Sequence, residues 1–148
     1  MQSQINVSLR IKPLGKREPQ HNIWKQVNDS TLMNTRTKDL YAFDHLFSSE
    51  TTTSQIFDTQ VKSIVHSALK GVNQTVFAYG QTSSGKTFTM RGPSAKTTGD
   101  GLIPLSVKEI FAVIKADPER KYKISVSYLE VSPFFLTAIF SEALQRVH

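Results

Sequence analysis

Cysteine is missing from all 148 residues, so neither a disulfide framework nor thiolate metal ligation is available. The histidines, His21, His45, His66 and His148, are scattered without ligand spacing, and no metal held by protein nitrogen or sulfur is expected. Long hydrophobic runs are missing too. The longest strongly apolar run near the end, FFLTAIF, is far too short to cross a bilayer, and MQSQINVSLR has no charged region leading into an apolar core. No membrane partner is expected. There is no internal repeat and no low-complexity tract. Lysine and arginine never form a run or an interleaved aromatic pattern, so the net charge of +6 reads as a solvated basic surface suited to a nucleotide or an acidic protein face, with no nucleic-acid partner. These absences predict a soluble protein of a reducing compartment, the cytoplasm.

What is present is the material of one globular core, with 39% apolar and 20% charged residues. Ile5, Val7, Leu9 and Ile11 alternate with Asn6, Ser8, Arg10 and Lys12, the two-residue period of a half-buried strand that Pro13 ends. IWKQV and TLM are short candidate strands in a polar, turn-rich segment, and YAFDHLF (41–47) reads as another. Thr53 or Ser54 can cap a helix in which Phe57, Val61, Ile64, Val65 and Ala68 recur at three- and four-residue steps before Gly71. TVFAY (75–79) is wholly apolar and runs into a glycine turn, the pattern of a strand covered on both faces. Pro104 suits the first turn of a helix with the stripe Val107, Ile110, Phe111 and Ile114, closed by Asp117-Pro118, and KYKISVSYLEV alternates as a strand. After Ser132-Pro133, the four-residue recurrence of Leu136, Phe140 and Leu144 predicts a short amphipathic helix. Strands alternating with helices around an apolar central strand predict an α/β sandwich.

Between these elements lies the one stretch with explicit chemistry. Gly80, Gln81, Thr82, Ser83, Ser84, Gly85, Lys86 and Thr87 fit G-x-x-x-x-G-K-[ST], the phosphate-binding loop, at every fixed position. A triphosphate concentrates negative charge, and a loop holds it only if backbone N–H groups converge with no side chain in the way. Gly80 and Gly85 remove that obstruction. A helix starting near Lys86 adds its unpaired amides and positive dipole end. Lys86 then reaches the β- and γ-phosphates, and the Thr87 hydroxyl is placed to ligate Mg2+.

The wording around the loop is more specific than the bare pattern. FAYGQTSSGKTFTM resembles the phosphate loop of the kinesin motor domain, and VSLRIKPL, YAFDHLF, GLIPLSVKEIF and ISVSYLEV resemble further kinesin segments in the same order. NIWKQVND and DPERKYKISVSYLE bring the resemblance nearest to the centromere-associated branch. The resemblance implies a P-loop NTPase fold of the kinesin-motor type, a three-layer α/β sandwich with a central mixed sheet, present here in its N-terminal part. It implies ATP and Mg2+ as cofactors, with Arg10 and Pro13 forming the adenine platform and Phe88 stacking on the base. It also implies microtubules (tubulin) as partner and a microtubule-associated, cytoskeletal location. Lys12 stands where the family has a second arginine, keeping the charge without the planar fork, and Leu105 replaces the arginine common after I-I-P.

Residues 1–131 thus read as a partial motor domain and 132–148 as a divergent tail. Neither N-x-x-S-S-R-S-H nor D-L-A-G-S-E occurs, and these switch elements carry water positioning and γ-phosphate sensing in P-loop enzymes. No catalytic residue is therefore assigned, and little or no hydrolysis is expected of this chain alone. The expected function is that of the ATP-binding part of a microtubule motor. The alternative is a truncated, non-motile module that binds a nucleotide or a partner. A small-molecule kinase would need a lid arginine cluster and an acceptor site after the loop, and the sequence has neither.

Overall fold

The structure, a computed structural model, describes residues 5–15, 23–93, 99–131, 136–139 and 145–147. They belong to two compact units, Met1–Val107 and Lys108–His148.

In the first unit, strand β1 (Ser8–Arg10) pairs in parallel with β5 (His45–Phe47), Leu9 facing Leu46 in register. The alternating segment was expected to run further, but only these residues meet a partner strand. Ile5 and Val7 lie beyond the ladder and are exposed, while Arg10, expected on the polar side, is half-buried. Strands β2 (Trp24–Gln26), β3 (Thr31–Asn34) and β4 (Leu40–Ala42) form an antiparallel meander. Trp24 and Tyr41 meet edge to face on its outer strands at 5.6 Å.

YAFDHLF is not one strand. Its first half joins the meander as β4 and its second half joins β1 as β5. The break falls at Asp44, whose carboxylate accepts the Val7 amide at 2.7 Å while its own amide donates to the Val7 carbonyl at 2.9 Å.

The long helix is capped one residue earlier than expected. Thr52, rather than Thr53 or Ser54, accepts the Gln55 amide at 3.2 Å, and the Gln55 side chain accepts the Thr52 amide at 2.9 Å. This reciprocal pair is a capping box. The helix runs as α1 (Thr53–Ile56), a π-helical segment (Phe57–Val61) and α2 (Lys62–Leu69), and Gly71 follows at φ 92°. Its buried stripe is Ile56, Phe57, Val61 and Val65, which with Leu32, Leu46 and Leu102 make up the buried apolar side chains among the described residues.

TVFAY departs most from expectation. Residues 72–80 form no strand, and Phe77 and Tyr79 are 77% and 94% exposed. A strand exists only through its partners' backbone groups, and no described segment forms a ladder with this one. Beyond it come α3 (Lys86–Arg91) and α4 (Leu102–Ala116), the latter carrying Pro104 in its first turn as expected.

In the second unit the Tyr122 hydroxyl donates to the Asp117 carboxylate at 2.8 Å, just past the end of α4. KYKISVSYLEV divides into β6 (Lys121–Lys123) and β7 (Tyr128–Val131). The amphipathic helix expected over 132–148 is corrected where the tail is described. Leu136–Ile139 is strand β8, antiparallel to β7, and Gln145–Val147 is strand β9, antiparallel to β6. The remainder of that segment lies outside the described residues. The four-residue apolar recurrence suits a helix, but Thr137, Ile139 and Val147 are β-branched. Pairing also satisfies the peptide groups of β6 and β7, which a helix leaves open.

Candidate functional site: a phosphate-type loop beside an arginine–aromatic pair

The loop leaves the extended 72–80 segment, turns at Thr82 and Ser83, and enters α3 at Lys86. It is neither a straight coil nor part of a helix begun before Gly85. Two glycines are required by its geometry. Gly80 sits at φ 153°, where a side chain is strained, and a Cβ there would meet Ser84 Oγ at 2.5 Å and push that hydroxyl aside. Gly85 sits at φ 99° immediately before α3, a backbone region that other residues enter at a cost of about 1–2 kcal/mol. Ser83 also takes a left-handed φ of 64°. The Ser84 amide donates to the Gln81 carbonyl at 3.2 Å, closing the turn.

Lys86 folds back over this turn. Its ammonium donates to the Gly80 and Gln81 carbonyls, both at 2.8 Å. The charge therefore lies at the mouth of the loop, held by neutral oxygens that a more basic, anionic oxygen can replace. No side chain caps α3, which leaves its first-turn amides for another acceptor. Thr87 is exposed on that first turn. A loop too tight for a side chain at Gly80, open amides and one inward-curled ammonium fit a polyphosphate.

Beside the loop, β1, the start of α1 and α3 converge on Arg10. One guanidinium nitrogen donates to the hydroxyls of Thr53 and Thr89, each at 3.0 Å, and the other donates to the Thr51 carbonyl at 3.2 Å. The same guanidinium lies 5.3 Å from the centre of the Phe88 ring, within cation–π range. Burial lowers the Arg10 pKa from its ordinary value, and so high a starting value leaves the group a cation at neutral pH. The burial of that charge opposes folding below the lowered pKa and is relieved only as pH rises through it, while the hydrogen bonds to Thr51, Thr53 and Thr89 offset it.

Arg10 and Phe88, named from the sequence as parts of an adenine platform, are thus brought into contact. Pro13 is exposed beyond the end of β1. Nothing in the sequence joined Thr51, Thr53 and Thr89 to Arg10, since contacts spanning 79 residues, as from Arg10 to Thr89, leave no local periodicity to detect.

The kinesin motor-domain family model matches residues 5–133. Among curated proteins, the chain is 41% identical over 135 residues to the kinesin-like protein KIN-7C, mitochondrial, of Arabidopsis thaliana, covering 88% of this chain and 15% of that protein. It is 40% identical over 127 residues to KIN-7O of the same plant, covering 86% of this chain and 10% of the relative. It is 39% identical over 130 residues to KIN-7G of Oryza sativa subsp. japonica, at 86% and 14%. Among solved structures, a fast kinesin described with its ATPase mechanism and microtubule interactions superposes at a TM-score of 0.82 and 32% identity, covering 90% of this chain and 40% of that one. The chain thus spans a small part of the curated relatives' length, and its mixed α/β content is a partial kinesin fold. Matched across most of its length by motif order, family model and fold, this chain belongs to the kinesin motor-domain family.

Proposed function

We propose that this chain binds Mg-ATP through Gly80–Thr87 as the nucleotide-gripping portion of a microtubule motor. Kinesins drive movement along microtubules by ATP hydrolysis, and the family binds ATP and Mg2+. The single observation that carries the reading is the Lys86 ammonium, held at 2.8 Å over the loop's own carbonyls where a phosphate oxygen would take their place.

Gly80 and Gly85 keep the loop free of side chains, the open first-turn amides of α3 accept a phosphate oxygen, and the Thr87 hydroxyl is a ligand for Mg2+. A bound Mg2+ would neutralise part of the phosphate charge. Arg10, Pro13 and Phe88 make the base side, with the half-exposed Phe88 ring as the stacking face. Microtubules are the partner and the cytoskeleton the location that the family suggests. The relatives' names include mitochondrial and chloroplastic designations. The centromere-associated branch rests on the combined sequence pattern, including NIWKQVND and DPERKYKISVSYLE, and the relatives above carry plant KIN-7 names.

Titration with a fluorescent ATP analogue and Mg2+ tests the reading. Saturable binding displaced by unlabelled ATP is expected, and its absence contradicts it.

A further inference from the structure

Arg10 directs its hydrogen bonds to the protein itself. Both strong contacts of one terminal nitrogen go to threonine hydroxyls, Thr53 at the start of α1 and Thr89 on α3, and the other terminal nitrogen reaches the Thr51 carbonyl. No carboxylate pairs with it among the described residues. A guanidinium has five N–H donors in a rigid plane, and three of them are committed to the protein. Its central carbon lies over the Phe88 ring, 5.3 Å from the centroid. An arginine so tied is poorly placed to follow a ligand, but well placed to hold an aromatic ring.

We propose that Thr53 and Thr89 are positioning residues. Their hydroxyls clamp Arg10 so that its cation presses one face of Phe88 and presents the other face, ready-oriented, to the base of the nucleotide. The inference rests on the nucleotide reading above. Thr89 sits one residue after Phe88 on the same short helix, so the clamp also ties α3 to α1 and β1, fixing the ring relative to the loop. Thr53 is buried, at 7% exposure, with its hydroxyl turned toward Arg10. The arrangement separates two tasks. Lys86 and the loop hold the phosphates, whereas the clamp acts on the base alone.

That separation gives the test. The affinities of the whole chain for Mg-ATP and for inorganic tripolyphosphate are measured for wild type, Thr89→Val, Thr89→Ser and Arg10→Lys. Wild type is expected to favour ATP through the base. Thr89→Val is expected to reduce the ratio of ATP to tripolyphosphate affinity by about three- to tenfold, the effect of one lost hydrogen bond, with tripolyphosphate binding unchanged. Thr89→Ser, which keeps the hydroxyl, should restore the ratio. Thr53→Val, which removes the other hydroxyl at nearly constant volume, supplies the same readout if Thr89→Val does not fold.

Equal weakening of both ligands would overturn the proposal, as a general structural defect does not distinguish them. So would a ratio unchanged in Thr89→Val but reduced in Arg10→Lys, which would mean that Arg10 meets the base without the clamp. Failure of the wild type to bind either ligand is a separate result, and it overturns the nucleotide reading on which this inference stands.

Discussion

Two stretches that follow one another in the chain, 53–69 and 72–80, are similarly rich in apolar residues, yet Phe57 is 4% exposed and Phe77 is 77% exposed. The first is a helix, which closes its own backbone hydrogen bonds and needs only one apolar face covered. The second is a candidate strand, which needs hydrogen-bonding partners along its edges before its side chains can be covered. Residues 53–69 bury one face through Ile56, Phe57, Val61 and Val65, while no described strand pairs with 72–80. Helix formation is therefore decided locally here, and strand formation by what else is available to pair.

The contrast can be broken most sharply by truncating its two phenylalanines. Phe57→Ala should cost about 3–5 kcal/mol of folding stability in urea denaturation, because it opens a cavity in the stripe of the π-helical segment. Loss of less than about 1 kcal/mol would mean that this face is not packed in solution. Next in size, Lys86→Ala should weaken nucleotide binding by about thirtyfold, on the order of 2 kcal/mol for a charge-assisted contact. Unchanged affinity would show that the loop works independently of its ammonium. Thr52→Ala, which removes the capping box of α1, should lower stability by about 1 kcal/mol, read as a shift in the denaturation midpoint. At the small end, Phe77→Ser should change stability by no more than about 0.5 kcal/mol, since its side chain is mostly exposed. A loss comparable to that of Phe57→Ala would show that 72–80 is covered after all.

The same distinction explains which features could be read from the sequence. The helix beginning near 53, the turn at Gly71, the start of α3 at Lys86 and Pro104 in the first turn of α4 all depend on signals a few residues apart, and all are present in the structure. The loop was legible for the same reason, because its glycines and lysine act on backbone within the same eight residues. Features set by distant partners were not. YAFDHLF divides because Val7 takes hold of Asp44, TVFAY stays unpaired, and the tail segment forms β8 and β9 because β7 and β6 offer open edges. Arg10 and Phe88 could be paired only through the family resemblance. The link between Arg10 and the threonines that hold it had no signal in the sequence, being made by folding alone.

The most direct measurement of the central idea, that Gly80–Thr87 forms a preshaped cup for a triphosphate, is a backbone-amide NMR titration of the chain with Mg-ATP. Saturable shifts concentrated in Gly80–Thr87 and Phe88 are predicted, with little change around Phe57 and Val65. Shifts scattered over the basic surface, at residues such as Lys25, Lys70 and Lys115, with none gathered in the loop, would contradict it.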